Sequence, residues 1–345
     1  MPSFYRHTAM SHRITVLPSN EHFTAAADEN LLAAAKRQGL PLPHACQSGS
    51  CGSCKARLLS GQVASLGNED LPGLSAADKA LGDILLCCSV AQSDVCVSMP
   101  HYAGADATPA QILPARIQQI TIEGGNAVVQ LALPRQKPFA FRPGQYVDIL
   151  LPQAQRRSYS IANSPGDTGL IELHVRQHEN GIFSAPLFNG SMGEKSIVRL
   201  QGPLGSFGLN PSAKPIIMLA TGTGFASIKS LLLQLLAEHS TRPLHLFWGV
   251  REQHDFYQLA AAKALLAQLP HARLSLLLSR PAADWPGAYG HVQDGAAATY
   301  PDLSGHEVYA CGNPAMVAAA RYLFTHKHRL PENAFFADSF SPAGH

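Results

Sequence analysis

The chain has 345 residues, of which 46% are hydrophobic and 14% charged, and its formal net charge is +2. This length predicts two or three domains with packed cores, and the small net charge without a basic run gives no reason to expect a nucleic-acid partner. No apolar run is long enough to span a membrane, and the first ten residues lack the apolar core of a signal peptide. The sequence therefore predicts a cytoplasmic protein with no membrane partner, for which Met10 is an alternative start.

The first predicted domain covers residues 11–100. It opens with Ile14–Leu17, a short β-branched segment that is typical of a buried strand. Asp28 is placed to cap a helix over Glu29–Gln38, and Gly39 is placed to end it.

Three cysteines, Cys46, Cys51 and Cys54, follow at C-x4-C-x2-C spacing. Six of the seven cysteines lie between Cys46 and Cys96, which indicates a thiolate metal centre in a reducing compartment better than a disulfide framework. The spacing is that of plant-type [2Fe–2S] sites, which take a fourth cysteine from far downstream. The alternative is zinc, which favours two separated C-x2-C pairs, whereas the chain has one such pair here.

Two glycines of this loop, Gly49 and Gly52, permit the backbone angles that a tight loop around a cluster requires. The backbone N–H groups of such a loop can point at an anionic cluster. The fourth ligand is expected within Leu85–Ser89, where Cys87 and Cys88 are adjacent. If this segment is extended, neighbouring side chains face opposite ways, and only one of the two sulfurs can face the cluster.

Residues 101–110 are predicted to form a linker, because Pro100–Pro109 is rich in Ala, Gly, Asp and Thr. Residues 111–212 follow with short β-like runs between turn signals, which predicts a small antiparallel barrel. The clearest of these runs are Ala127–Leu133, Tyr146–Leu151 and Leu170–Val175.

Within the predicted barrel, Arg157, Tyr159 and Ser160 form an Arg-x-Tyr-Ser segment. On a strand, Arg157 and Tyr159 share one face, although a Tyr-Ser strand is by itself more commonly plain barrel surface. Further on, Gly181–Ser184 is placed to open a short helix whose N–H groups suit an anion.

Residues 213–345 alternate between strand and helix patterns, which predicts an α/β domain. Ile216–Ala220 is a predicted buried strand that runs into the glycine turn Thr221–Gly224 and then into a helix. A turn of this kind places bare backbone against a pyrophosphate. The dinucleotide fingerprint is incomplete, however, because Ser227 stands at its third glycine position, and a plain strand–helix turn is the alternative.

Taken together, these motifs resemble the ferredoxin–NADP reductase superfamily in the form that carries an N-terminal plant-type ferredoxin. The resemblance spans essentially the whole chain and implies a multidomain α/β and α+β protein. Its parts are a β-grasp ferredoxin, an antiparallel β-barrel flavin domain and a parallel-sheet nucleotide-binding domain. In this family the fourth cluster ligand stands six residues before a Ser-Asp pair, here Ser93-Asp94, which selects Cys87 and not Cys88.

The resemblance also implies the site residues. Those expected to hold FAD, favoured over FMN, are Arg157, Tyr159, Ser160, His174, Val175, Arg176, Gly181, Ile182, Phe183 and Ser184, with Phe340 shielding the flavin. Those expected to hold NAD(P)H are Thr221, Gly222, Thr223, Gly224, Gly249, Val250, Arg251, Cys311, Gly312, Asn313, Pro314 and Met316. Ser160, Cys311 and Asp338 are the expected catalytic residues, and Asp338 is shorter than the more usual Glu.

NADH is expected as the donor because no cluster of basic residues accompanies the Gly249 turn, although Arg251 or Arg280 leaves NADPH open. The resemblance implies that NAD(P)H gives a hydride to the flavin, that the flavin passes single electrons to the cluster, and that the cluster reduces a protein. Likeness around Val308–Gly312 and Phe335–Phe340 indicates the CDP-6-deoxy-glucoseen reductase group, whose partner is a sugar dehydratase. Alternatives are the reductase component of a mono- or dioxygenase, a dissociable electron carrier and a cluster-based redox sensor.

Overall fold

The computed structural model describes residues 11–17, 19–44, 46–66, 71–99, 102, 110–166 and 169–340. The chain divides into two compact units, an N-terminal unit of residues 1–107 and a C-terminal unit of residues 108–345. The alternative start at Met10 lies outside the described residues, and so does the predicted linker except for Tyr102 and residue 110.

The N-terminal unit is a mixed sheet with a helix packed on it. Its strands are β1 (Ser11–Leu17), β2 (Glu21–Ala26), β3 (Lys55–Ser60), β4 (Val63–Ser65), β5 (Asp83–Leu85), β6 (Ser89–Ala91) and β7 (Val95–Ser98), and its helices are α1 (Leu31–Arg37) and α2 (Ala76–Ala80). The main sheet has the order β2-β1-β7-β3-β5, with β1 and β7 parallel, and β4 pairs with β6. Leu31 and Leu32 of α1 share a buried core with Ile14 and Val16 of β1. The predicted β-grasp fold is thus confirmed.

The start of α1 differs from its prediction. The helix begins at Leu31, and its cap is Asn30, not Asp28. Asn30 is extended, with φ −68° and ψ 149°, and its Oδ1 accepts a hydrogen bond from the Ala33 N–H at 2.8 Å. Either polar residue suits a cap, and the one with extended backbone directly before the first helical residue takes that place. Gly39 follows the helix with φ +81°, as its predicted role requires.

The first half of the C-terminal unit is a closed antiparallel sheet. It contains β8 (Gln111–Glu123), β9 (Asn126–Ala132), β10 (Tyr146–Leu150), β11 (Arg156–Ser160), β12 (Leu170–Arg176), β13 (Ile197–Leu204) and the helix α3 (Ser184–Phe188). The strand order is β11-β10-β13-β8-β9-β12, and a bridge between Ile161 and Leu173 brings the two outer strands together. Alternate residues of β8, such as Leu113 and Ile117, point into the core. The predicted barrel is confirmed.

The second half is a parallel sheet with helices on both faces. It contains β14 (Ile216–Thr221), β15 (Leu244–Val250), β16 (Ala272–Leu278), β17 (Ala288–Tyr289), β18 (Glu307–Gly312), β19 (Phe335–Ser339), α4 (Phe225–Ala237), α5 (Leu259–Leu266), α6 (Val292–Thr299) and α7 (Pro314–Lys327). The order is β17-β16-β15-β14-β18-β19. Helices α4 and α5 cover one face and α6 and α7 the other, so β14 is buried almost throughout. Strands β15, β16 and β17 are added on one side of β14, and β18 and β19 are added on its other side. Parallel sheets bind ligands at such a switch point, at the carboxyl ends of the strands.

Candidate functional site

The cysteine loop of the N-terminal unit directs backbone N–H groups at sulfur. The N–H groups of Ser48 and Cys51 donate to Cys46 Sγ at 3.4 and 3.3 Å, and the N–H of Ser53 donates to Cys51 Sγ at 3.4 Å. Gly49, with φ +78°, permits the tight path of this loop. Hydrogen bonds of this kind stabilise thiolates, which are the form of cysteine that binds iron.

The four predicted ligands stand in two pairs. Hydrogen bonding with the Cys51 thiol lowers the pKa of Cys46 to about 4, despite its partial burial. Hydrogen bonding with Cys54 raises the pKa of Cys87 to about 12, with burial adding to the effect. A [2Fe–2S] cluster held by four cysteines has two irons to be ligated, and two adjacent pairs of sulfurs fit that requirement.

The segment that carries Cys87 is not extended. Leu86–Cys88 forms a 3₁₀ turn, so the premise that its neighbouring side chains face opposite ways is wrong. Both cysteines are buried, and their sulfurs are 3.5 Å apart. Cys88 Sγ also packs on the cysteine loop, where a Cβ added to Gly49 would lie 3.0 Å from it. The preference for Cys87 therefore depends on its spacing from Ser93-Asp94 and on its contact with Cys54, and not on strand geometry.

In the C-terminal unit, strand β11 places the predicted flavin residues as expected. Arg157 and Tyr159 are half-buried on one face, and Ser160 is buried. The Tyr159 ring lies 5.3 Å from the ring of Phe183, centroid to centroid, and burial raises the pKa of Tyr159 above its usual range. The phenol is therefore neutral and presents an apolar ring edged by a hydroxyl, which suits contact with a flavin.

Two arginines of the flavin domain carry charges that no acid neutralises within the described ranges. The guanidinium of Arg157 donates to the Arg156 carbonyl at 2.8 Å. Arg176 is exposed at the end of β12, and its Nη1 lies 3.7 Å from where a Cβ on Gly222 would stand. The position of Arg176 beside the half-buried glycine turn suits a dinucleotide phosphate.

His174 is occupied by contacts inside the protein. Its Nδ1 is 2.7 Å from the Tyr257 hydroxyl and its Nε2 is 2.8 Å from Glu172 Oε1, which also accepts from Lys229 Nζ at 2.6 Å. Burial lowers the pKa of His174, so the ring is neutral. Its Nδ1 joins β12 to the nucleotide-binding domain, and its Nε2 contacts Glu172 of the same strand. Both ring nitrogens are thus occupied, which leaves the backbone of His174, and not its ring, for the flavin contact that the sequence predicts.

The predicted anion-binding turn at Gly181–Ser184 is also organised internally. Helix α3 starts only at Ser184 and has five residues. The Ser184 hydroxyl donates to the His178 carbonyl at 3.2 Å, and a Cβ on Gly181 would collide with that hydroxyl. Gly181 is thus required by the turn itself. Ile182, between them, is exposed.

The glycines of the coenzyme turn allow the ends of β14 and β18 to meet. Gly222 has φ +52°. A Cβ on Gly224 would collide with the Cys311 carbonyl, and one on Gly312 with the Thr221 hydroxyl. The same Thr221 Oγ1 accepts a hydrogen bond from the Asn313 N–H at 2.9 Å. The start of α4, which has no side-chain cap, therefore lies at the carboxyl end of the sheet, where helix N–H groups suit a pyrophosphate.

The three predicted catalytic residues converge at this end of the sheet. Asp338 pairs in register with Cys311, and its Oδ2 is 3.5 Å from Ser160 Oγ. The same oxygen is 3.3 Å from Ser227 Oγ, a contact that the sequence did not predict. Burial raises the pKa of Cys311 well above its usual range, the nearby Asp338 charge adds to this, and hydrogen bonding with Ser227 opposes it. Cys311 is therefore a thiol.

The remaining predicted coenzyme residues are divided between surface and core. Arg251 is exposed beyond β15, and Phe340 is half-buried, with its N–H donating to the Gly312 carbonyl at 2.8 Å. Met316 of α7 is buried in the hydrophobic core. Gly249 packs against Val292, because a Cβ added to Gly249 would lie 2.7 Å from the Val292 side chain. Pro314 is the first residue of α7, and Thr223 lies in the glycine turn. Val175 and Val250 are buried.

A cavity of about 700 Å³ lies beyond the carboxyl ends of β15 and β16. Its lining carries one acid and one arginine besides neutral and apolar groups, namely Glu252, Gln253, His254, Leu278, Arg280, Pro281, Ala282 and Trp285. In parallel sheets of this type, ligands bind at this end. The position fits the part of a dinucleotide that extends away from the glycine turn.

The comparisons with known families define the class of protein. Residues 14–92 match the 2Fe-2S iron-sulfur cluster binding domain, residues 116–208 the oxidoreductase FAD-binding domain, and residues 218–322 the oxidoreductase NAD-binding domain. These matches confirm the predicted [2Fe–2S], FAD and NAD(P)H cofactors, and they rule against the zinc alternative. The chain is an oxidoreductase that passes electrons from NAD(P)H through FAD to a [2Fe–2S] cluster.

Individual relatives place it more narrowly. The chain is 38% identical over 335 residues, 97% of its length and 100% of the relative, to the CDP-6-deoxy-L-threo-D-glycero-4-hexulose-3-dehydrase reductase of Yersinia pseudotuberculosis. It is 32% identical, over 97% of its length and 100% of the relative, to the terephthalate 1,2-dioxygenase reductase component 2 of Comamonas sp.. The crystal structure of the Amycolatopsis cytochrome P450 reductase GcoB has a TM-score of 0.75 and 30% identity, covering 96% of this chain and 100% of that one. The chain belongs to this family of ferredoxin-fused flavin reductases. Among its described residues, no helix is both long and apolar enough to cross a membrane.

Proposed function

We propose that this reductase supplies electrons to a sugar-nucleotide dehydrase, with a protein as its physiological acceptor. The observation that carries the proposal is the 38% identity, over 97% of this chain and 100% of the relative, to a CDP-hexulose dehydrase reductase. The N-terminal unit supports it, because a reductase that served a small diffusible acceptor would not need a separate one-electron centre. Seven free cysteines also suit a reducing compartment, which we propose is the cytoplasm.

The acceptor is tested by reconstitution. A purified CDP-hexulose 3-dehydrase and its sugar-nucleotide substrate should consume NADH anaerobically only when the holoreductase is present, with deoxysugar product formed in proportion. The dehydrase without substrate serves as the control for uncoupled oxidation. Absence of product despite full FAD and cluster content would contradict the proposal.

The second candidate is a reductase for an oxygenase. It is favoured by the likeness to the terephthalate dioxygenase reductase and by the 0.75 TM-score with the cytochrome P450 reductase. The same reconstitution separates the two candidates when a terminal oxygenase and its aromatic substrate replace the dehydrase. Substrate-dependent NADH consumption with the oxygenase alone would reverse our choice.

We further propose how the residues of the C-terminal unit act. A bound flavin would supply the conversion between two-electron hydride transfer from NAD(P)H and one-electron transfer to the cluster. Arg157 and Arg176 would neutralise its phosphates, and Tyr159 would cover one side of its ring. Ser160, Cys311 and Asp338 would line the place where coenzyme and flavin meet. Their burial excludes water from that place, and the neutral Cys311 thiol supplies a soft, uncharged surface.

Coenzyme choice is proposed to favour NADH, because Glu252 is part of the cavity lining. A carboxylate there can accept a hydrogen bond from a ribose hydroxyl, whereas it repels a 2′-phosphate. Arg280 in the same lining has the opposite preference. Glu252 is held in a turn by a reciprocal cap with Asp255, whose Oδ2 accepts from the Glu252 N–H at 3.1 Å. Asp255 thus adds a second carboxylate next to Glu252, while Arg280 is the one arginine of the described lining.

Replacing Glu252 by Gln should shift the preference toward NADPH. Wild-type kcat/KM is expected to be higher for NADH, and E252Q should raise the NADPH/NADH ratio about 5-fold, as expected for removal of one exposed repulsive charge worth roughly 1 kcal/mol. Gln253→Ala, in the same lining but uncharged, should leave the ratio unchanged. A wild-type preference for NADPH, or a shift of the same size in Q253A, would show that Glu252 does not read the ribose.

A further inference from the structure

The first turn of α4 brings an unpredicted hydroxyl to the proposed catalytic carboxylate. Ser227 is completely buried, and its Oγ is 3.3 Å from Asp338 Oδ2, the same oxygen that Ser160 Oγ approaches at 3.5 Å. We propose that Ser227 is a positioning residue that holds the Asp338 carboxylate between the Ser160 hydroxyl and the Cys311 thiol. This inference rests on the proposed roles of those three residues.

The direction of the hydrogen bonds follows from the protons available. A serine hydroxyl has one proton, so Ser227 cannot donate to Asp338 and to Cys311 at once. Cys311 is kept as a thiol by its burial. Its S–H can therefore donate to Ser227 Oγ, while the Ser227 O–H and the Ser160 O–H both donate to Asp338. The carboxylate is then fixed by two donors, one from β11 and one from α4.

The local sequence explains why α4 comes close enough. Gly224 has no Cβ, and one placed there would collide with the carbonyl of Cys311. The helix can therefore start against the end of β18, and its first turn carries Ser227 to the side of the strand where Asp338 projects from β19. A glycine at position 227, as a complete dinucleotide fingerprint would have, removes this hydroxyl.

The length of the acid gives Ser227 its role. An aspartate is one methylene shorter than the more usual glutamate, so its carboxylate stays closer to its own strand. A donor on the facing helix can hold it there, and hydrogen bonds to charged groups are the stronger ones. Both contacts are long in the structure, which is common at sites whose hydrogen bonds tighten on ligand binding.

The helix offers a matched control. Ser230 is also fully buried, three residues further along α4, and its Oγ donates to the Asn163 carbonyl at 3.2 Å. Ser230 therefore links α4 to the flavin domain through the backbone carbonyl of Asn163 and not through Asp338. Ser230→Ala removes a buried hydroxyl from the same helix without touching the catalytic carboxylate.

The kinetic test uses the holoenzyme and stopped-flow reduction by NADH. Ser227→Ala should slow the limiting rate of flavin reduction about 10-fold, the loss expected for a hydrogen bond to a charged group, with little change in the NADH dissociation constant. Ser227→Thr should restore most of the rate, and S230A should stay near wild type. A wild-type rate in S227A, or an equal loss in S230A, would overturn the inference.

A second readout does not depend on turnover. In flavin-free protein, denaturant unfolding of S227A, D338N and the double variant forms a double-mutant cycle, in which contacting residues are non-additive. We expect the double variant to be destabilised less than the sum of the single ones, whereas S230A and D338N should add. Additivity for Ser227 and Asp338 would overturn the inference. Asp338→Asn also separates the two proposals: a wild-type rate there refutes the catalytic role of Asp338, while a slow D338N beside a normal S227A refutes Ser227 alone.

Discussion

Replacing Cys87 by Ala should abolish the visible iron–sulfur absorption of the purified protein. Cys87 is buried and contacts Cys54, so its loss leaves one pair of sulfurs incomplete. Loss of an outer partner of a metal ligand already costs about 10- to 100-fold in affinity, and loss of the ligand itself should cost more. The measurements are the visible spectrum and the iron content per chain, with FAD content as an internal reference that should not change.

The adjacent Cys88 provides the control for this experiment. Cys88→Ala should keep the iron–sulfur bands, because the sulfur of Cys88 packs on Gly49 and serves as a small buried group. Because the sulfurs of Cys87 and Cys88 are only 3.5 Å apart, the two variants test which of two neighbouring thiols binds the iron. Bands that survive in C87A and vanish in C88A would reverse the ligand assignment.

The sequence predicts the three folds because each has a periodic pattern or a local motif. The apolar run of Ile216–Ala220 and the glycine turn that follows depend on residues next to one another, and the structure confirms both. The cysteine spacing is equally local, and the match to the 2Fe-2S domain confirms its chemistry. Patterns of this kind predict the structure well because they reflect what the local backbone requires, independently of distant contacts.

Contacts between distant residues explain what the sequence could not predict. Ser227 and Asp338 are 111 residues apart, and His174 and Tyr257 are 83 apart, yet both pairs are in contact. No periodicity encodes such pairs. The first depends on how α4 packs near β19 in the parallel-sheet half, and the second on how the barrel packs on that half. The choice of Asn30 over Asp28 as a cap is a smaller case, because two polar residues with similar propensity compete and the helix starts directly after the second of them.

Removal of residues 1–107 should separate two electron-acceptor activities. The remaining chain is one compact unit that contains the whole barrel and the whole parallel sheet. It should therefore keep FAD and reduce ferricyanide with NADH, because the flavin can serve that acceptor directly. Cytochrome c reduction should fall sharply, since the one-electron centre that would serve a protein acceptor is gone.

The C87A variant is the full-length control for this truncation. It keeps the N-terminal unit while lacking the cluster, so it should also reduce ferricyanide and fail with cytochrome c if electrons leave through the cluster. A truncated protein that loses both activities together with its FAD would show that the C-terminal unit needs the N-terminal one for stability, and C87A would then carry the test. Cytochrome c reduction that is undiminished in C87A would mean that electrons leave from the flavin, and the proposal of a protein acceptor served by the cluster would lose its main support.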